Sequence, residues 1–251
     1  MWHGTDKTYI SRSSRQQFFW VSLKLMGFKI QHFDRVDSTM RLAADLPVGS
    51  VVVASEQTAG VGRHGHSWTS PPGAGLYASI VMDPHPVLTL ALGLAASLAL
   101  RRVTQLTCDI RWPNDLLLNE RKLGGILVQM EGRKAIAGIG INVSQRAFPP
   151  ELADIATSLA IETSLEFRSE DILAALLEEI ERHVARGAAD IIAAWERASS
   201  YARGKQVRVD LGDRMIHGIT VGLDDHGFLK VRKPEGGIEI VLAGGVRPNT
   251  I

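Results

Sequence analysis

The residues best suited to chemistry fall in two segments, one rich in glycine and one built around a short polar turn. In the first, Gly60-Val61-Gly62-Arg63-His64-Gly65 sets three glycines around an arginine. Glycines let a backbone come close to a ligand, and Arg63 offers a planar fork suited to a carboxylate or a phosphate. The same six residues match the dinucleotide-binding fingerprint, with Asp83 near its expected acidic position. That fingerprint works only when its last glycine opens a helix facing the pyrophosphate. Here the chain runs on through His66-Ser67-Trp68-Thr69-Ser70-Pro71-Pro72-Gly73, which predicts a long loop and argues against a dinucleotide fold. His64 and His66 have no further ligand at metal-binding spacing, so no metal centre made of protein side chains is expected.

In the second segment, Arg111-Trp112-Pro113-Asn114-Asp115 ends one strand in a polar turn and Arg121-Lys122-Leu123-Gly124-Gly125-Ile126-Leu127 begins another. Two small residues after Lys122 leave room for a ligand beside its ammonium group. Asp115 lies across the connecting hairpin, so a cation and a carboxylate face one place. Taken alone, these residues are also what a solvated hairpin would carry. Gly138-Ile139-Gly140-Ile141-Asn142-Val143 is a glycine-spaced apolar strand in which Asn142 is a buried hydrogen-bonding group. Asn142-Val143-Ser144 is formally a glycosylation sequon, discounted because nothing points to secretion.

The elements that must hold these segments read as follows. Alternation from Gly27 to Asp37 predicts a strand, and Ser38 then caps a helix beginning Thr39-Met40-Arg41. Val51 to Ala54 and Leu76 to Met82 are strands on either side of the loop, and residues 110 to 143 read as a meander turning at Pro113-Asn114-Asp115, Asn119-Glu120 and Gly132-Arg133. A buried helix follows Pro86. Ser169 caps a second long helix with an apolar stripe at Ile172, Leu173, Leu176, Leu177, Ile180 and Val184, ended by Gly187, and a further helix runs through Trp195. After Tyr201 the texture changes to short strands near 207–209, 216–221, 228–231 and 238–242, which predicts a small barrel. Three parts are therefore expected: an N-terminal extension at 1–26, poorly ordered, a main domain at 27–201 and a small domain at 202–251.

Composition adds exclusions. The 251 residues carry 28 Lys and Arg against 27 Asp and Glu, so no global charge favours nucleic acid or an acidic substrate. The single cysteine, Cys108, cannot close an intramolecular disulfide and fits a reducing compartment. The most apolar stretch, Val87 to Leu100, is shorter than the roughly 20 residues a bilayer demands. The first 25 residues hold four Lys and Arg and one acid but no long apolar core, so a targeting peptide is not expected, and Met26 is a candidate start.

In order and spacing, Asp37-Ser38-Thr39, Glu56 to Trp68, Trp112-Pro113-Asn114-Asp115, Arg121 to Leu127 and Gly140-Ile141-Asn142 resemble the biotin protein ligase family. The resemblance runs from residue 27 to about residue 250, since the small domain is similar to that family's SH3-like domain. It implies an α+β fold, a mixed sheet backed by helices of the class II aminoacyl-tRNA synthetase and lipoate ligase kind. It also implies a reaction in which biotin and ATP, with Mg²⁺, give biotinyl-5'-AMP, followed by transfer of biotin to a lysine of a biotin carboxyl carrier protein. Carried over by position, Ser38, Thr39, Gln57 and the backbone near Gly60 hold the ureido ring, and Gly125 adjoins the biotin site. Arg63 and Lys122 hold the carboxylate and the phosphate. Trp68, Asn114 and Asn142 line the adenylate site, and Asp115 faces the incoming lysine or Mg-ATP.

Where that family usually has arginine, this chain has Val61, His64 and His66, and Met40 stands in place of an asparagine. Fewer cations hold the loop, which implies altered affinity or retention of the adenylate. The short N-terminal extension predicts a monofunctional enzyme with no specific DNA binding; a cytoplasmic protein without membrane association, as a monomer or homodimer, is also expected. The competing readings are a lipoate ligase, which shares the fold, and an inactive biotin sensor or carrier-docking module; retention of Arg63 and Lys122 favours activity.

Overall fold

The computed structural model describes residues 22–25 and 27–249. Eight strands form one mixed sheet: β1 (Ser22–Leu25), β2 (Phe28–Val36), β3 (Ser50–Gln57), β4 (Gly75–Met82), β5 (Asp109–Arg111), β6 (Asp115–Leu118), β7 (Arg121–Glu131) and β8 (Lys134–Asn142), in the order β1-β2-β3-β4-β8-β7-β6-β5. Only β2 and β3 run parallel, joined by the short helix α1 (Thr39–Ala44). Strand β1 pairs with β2 inside the segment expected to be an extension, so residues 22–25 of it belong to the sheet; the rest of that segment lies outside the described residues.

Helices α2 (Leu88–Thr104) and α4 (Ser169–Val184) cover one face of the sheet. α2 is apolar nearly all round because it lies between the sheet, α4 and α5 (Ala188–Ala198). No helix among the described residues is long and apolar enough to cross a membrane. Two caps differ from the sequence reading. Arg168, not Ser169, occupies the cap position of α4, with Glu170 and Asp171 favourably placed in its first turn, and Gly187 precedes α5 instead of ending α4. The short helix α3 (Leu159–Thr163), capped by the Ser158 hydroxyl, has too few residues to leave a periodic pattern.

The C-terminal strands β9 (Arg203–Asp210), β10 (Met215–Leu223), β11 (Leu229–Arg232), β12 (Ile238–Val241) and β13 (Gly245–Pro248) form an antiparallel sheet ordered β12-β11-β10-β9-β13. Its ends are not hydrogen-bonded to each other, so the expected barrel is an open, SH3-like sheet. β13 was not expected; only Val246 of its four residues is buried. The inner face shares one apolar cluster with the main domain: Val207, Ile216, Leu229 and Val231 pack with Trp195, Tyr201, Trp112 and Leu90. Trp112 Nε1 donates to the Gly227 carbonyl at 3.0 Å, and a Cβ on Gly227 would lie 2.8 Å from Leu90 Cδ1, so this turn sits directly on α2.

Candidate functional site

The site is built on the sheet face opposite α2 and α4. One line of cross-strand partners runs from Ala54 to Tyr77, Gly140, Gly125, Asp115 and Arg111, crossing β3, β4, β8, β7, β6 and β5. Directly opposed residues share a face. The two glycines therefore open a trough between the Tyr77 ring and the Asp115 carboxylate. Along β8 the period of two sends Gly138, Gly140 and Asn142 to this face and Ile139 and Ile141 into the helix-side core. The glycine spacing seen in the sequence is thus a groove cut into one side of a strand.

The glycine-rich loop folds over that groove as a small hairpin. Trp68 N donates to the Gly60 carbonyl at 2.8 Å and Gly62 N to the His66 carbonyl at 2.7 Å. At its tip Arg63–Gly65 makes one 3-10 turn, interrupted by His64 at a φ of 54°, so no helix follows the glycines and the dinucleotide reading fails on geometry. A side chain at Gly60 would collide with the Trp68 carbonyl, so that glycine serves the hairpin itself. The Trp68 indole lies in the trough: a Cβ on Gly140 would be 2.5 Å from its Cε2, and one on Gly125 would be 3.6 Å from its Cζ3. Lys122 Nζ stands 5.5 Å from the centre of the same ring. The indole N–H is buried without a partner.

At one end of the trough, charge is concentrated. Asp115 is buried and receives Arg111 Nη2 at 2.6 Å on one carboxylate oxygen and Lys122 Nζ at 2.6 Å on the other, with Arg247 Nη1 of β13 at 3.9 Å. Burial works against the charged carboxylate, but Lys122 and Arg111 outweigh it and hold the group below the usual carboxylate range. One residue earlier, Asn114 Oδ1 accepts from Arg63 Nη1 at 3.4 Å while its Nδ2 donates to the Ile126 carbonyl at 2.8 Å. Arg63 also reaches the Gly244 carbonyl at 3.3 Å, and its burial lowers its basicity against the opposing pull of Asp115. Arg63 and Lys122, remote in sequence, thus converge on consecutive residues of one turn.

At the other end the groups are polar and uncharged. Gln57 Oε1 accepts from both Thr39 N at 2.9 Å and Thr39 Oγ1 at 3.0 Å, Gln57 Nε2 donates to Ser70 Oγ at 2.9 Å, and Thr39 Oγ1 lies 2.7 Å from Ser79 Oγ. Ser38 holds the cap position of α1, yet its hydroxyl makes no cap bond and is buried with no partner. A buried unpaired hydroxyl costs free energy unless something else meets it. Met40 packs against Gly138, where a Cβ would lie 2.7 Å from Met40 Sδ, so the sulfur fills space that only glycine leaves. Asn142 sits on the same face and donates to the Thr157 carbonyl at 2.9 Å.

The site residues carried over by the resemblance therefore lie on or against one face, whereas Cys108 lies in the helix-side core. Missed were Arg111 as the second partner of Asp115, Ser70 and Ser79 behind Gln57 and Thr39, and Gly244 and Arg247 from the C-terminal sheet. The register of the β5–β6 hairpin is the one sequence signal that could have found Arg111. Among the described residues no group of three His, Cys, Asp or Glu side chains could hold a metal ion.

Residues 32–145 match the Biotin/lipoate A/B protein ligase family and residues 203–246 match the Biotin protein ligase C terminal domain. The bifunctional ligase/repressor BirA of Bacillus subtilis is 34% identical over 242 residues, covering 87% of this chain and 74% of that one. The biotin–[acetyl-CoA-carboxylase] ligase of Mycobacterium tuberculosis is 37% identical over 214 residues, covering 78% and 77%. The solved structure of the biotin protein ligase from Aquifex aeolicus in complex with biotin and ATP superposes with a TM-score of 0.80 at 32% identity, covering 88% of this chain and 99% of that one. With both family domains in order on a fold of the same shape, this chain belongs to the biotin protein ligase branch of the Biotin/lipoate A/B protein ligase family.

Proposed function

We propose that this protein joins biotin to ATP, releasing pyrophosphate and forming biotinyl-5'-AMP, and then transfers the biotinyl group to a lysine amine of a biotin carboxyl carrier protein, releasing AMP. The observation that carries this reading is the convergence of Lys122 and Arg63 on the Asn114-Asp115 turn at one end of a glycine-floored trough whose other end is uncharged. Bringing a carboxylate to the α-phosphate of ATP opposes two anions. The reaction therefore depends on fixed cations aimed at the charge that develops. Asp115 already has Lys122 and Arg111 on its two oxygens, which makes it the group that positions both cations.

The uncharged end fits a neutral ring with polar edges. The Ser38 hydroxyl, buried and unpaired, and Thr39, braced by Gln57 and Ser79, are assigned to the ureido group. The aliphatic chain of biotin is assigned to the way from that end toward Lys122, past the Trp68 indole that lies over Gly140. Trp68 and Asn142 are assigned to the adenine end, where the unpaired indole N–H supplies a donor. Mg²⁺ enters with ATP, held by its phosphates. The reading further places the enzyme in the cytoplasm.

The test is biotin-dependent exchange of labelled pyrophosphate into ATP, with lipoate as the contrasting acid, followed by labelling of a carrier domain. Exchange with biotin and not with lipoate is expected. A folded protein that exchanges with lipoate alone, or with neither acid, would remove the proposal.

A further inference from the structure

We infer that Tyr201, Glu120 and Lys205 form a positioning unit that sets the Lys122–Asp115 pair from the domain junction, an inference that rests on the ligase reading above. Glu120 occupies the β6–β7 turn, two residues before Lys122, at a φ of 63°, with Asn119 beside it at 49°. Non-glycine residues rarely hold this left-handed conformation without help. Glu162 of the main domain accepts from Asn119 and Arg121 on either side, and Glu120 itself is held from across the junction. Tyr201 Oη donates to Glu120 Oε2 at 2.7 Å, and Lys205 Nζ, on the first strand of the C-terminal sheet, meets Glu120 Oε1 at 2.9 Å.

The same ring reaches the other half of the site. Arg111 lies over one side of Tyr201, 5.8 Å from its centre, and Lys205 lies 4.9 Å from it, while Arg111 holds Asp115 through two hydrogen bonds. Tyr201 is fully buried, and burial together with the Glu120 carboxylate raises its hydroxyl above the usual range, so it stays a proton donor throughout neutral pH. One buried phenol is therefore tied both to the turn that launches Lys122 and to the guanidinium that fixes its counter-ion. These three residues reach Lys122 and Asp115 through the β6–β7 turn and through Arg111, not by a hydrogen bond of their own. Their effect is on where Lys122 Nζ stands when the anion develops, and small misplacements of a catalytic group cost rate more than binding.

Glu120→Gly separates positioning from mere support of the turn. Glycine suits a φ of 63° better than glutamate, so it removes the tether while easing the backbone. The expected result is a melting temperature within a few degrees of wild type, the eased backbone offsetting part of the lost tie to the buried Tyr201 hydroxyl, with biotin affinity within about twofold and pyrophosphate exchange slowed about five- to twentyfold at saturating substrates, near or below the low end of a directly lost charge-assisted hydrogen bond because the tie acts through Lys122. Tyr201→Phe, which keeps the ring beside Arg111 and Lys205, should slow exchange to a similar extent. Because both variants cut the same tie, the double variant should be no slower than about the slower single one. Glu120→Gly exchanging at the wild-type rate, or rate losses that multiply in the double variant, would overturn the inference. Wild-type protein inert in exchange would overturn the ligase reading and this inference with it.

Discussion

Replacing Asp115 by asparagine should destabilise the protein far more than a surface charge deletion would. Arg111 and Asp115 side chains are 7% and 10% exposed, so their 2.6 Å pair is a buried one. Lys122 is a third exposed and can turn its ammonium group to water once Asp115 is neutral, but Arg111, packed over Tyr201, cannot. Removing one member of a buried pair strands the other charge at a cost of about 3–5 kcal/mol. The asparagine carbonyl still accepts one hydrogen bond, which places Asp115→Asn near the lower end, about 3 kcal/mol. For a chain of this size that corresponds to a fall in melting temperature of about 6–12 °C. Urea unfolding with the free-energy change extrapolated to water, together with thermal melts, would measure it. A companion variant, Arg111→Met with Asp115→Leu, removes both charges and should recover most of the loss, since apolar pairs of similar volume commonly replace buried ion pairs without penalty. A loss below about 1 kcal/mol for Asp115→Asn, the range of exposed pairs, would refute the claim that this pair is buried and mutually dependent.

Lys122→Ala should keep biotin binding but slow pyrophosphate exchange about 10²–10³-fold, the usual effect of deleting one positioned electrostatic group; exchange at the wild-type rate would contradict its role. Arg63→Gly should still form some adenylate but release it, because each lost charge-assisted bond on the covering loop is worth about 1.5–3 kcal/mol; labelling of bovine serum albumin added in trans is the measurement, and labelling confined to the carrier is the contrary result. Gly140→Ala should raise the KM for ATP more than that for biotin, since the new methyl would sit 2.5 Å from the Trp68 ring and lift it from the trough. Asp115, its carboxyl held low in the fold, adds stability above the unfolded value of about pH 3.9 and loses it as the pH falls through the lowered folded value, so the gap in stability between wild type and Asp115→Asn should close below about pH 4 and stay constant from pH 5 to 8.

How much of this was legible beforehand depended on whether a physical constraint left its mark within a few residues. The meander from Asp109 to Asn142 could be read because its turns and its period of two are local properties, and the observed strands break where those turns stand. The small residues at Gly138 and Gly140 were visible as a spacing, but their purpose was not: only the register that sets Gly140 opposite Gly125, and Gly125 opposite Asp115, turns two separate glycine patterns into one trough. The dinucleotide fingerprint misled for the converse reason. Its glycines are local, whereas the mechanism lies in the helix that should follow, and here His64 turns left-handed and the chain folds back to form the Val61 and Ser67 bridge. The groups missed are those that arrive from afar. Gly244 reaches Arg63 across 181 positions and Tyr201 reaches Glu120 across 81, contacts that neither composition nor periodicity records. Such contacts depend on the two domains packing through a common apolar cluster. The C-terminal sheet is accordingly part of the site's construction: Arg247 and the Gly244 carbonyl stand against Asp115 and Arg63, and Lys205 against Glu120, so an isolated main domain would lack three of the groups that hold its charged end in place.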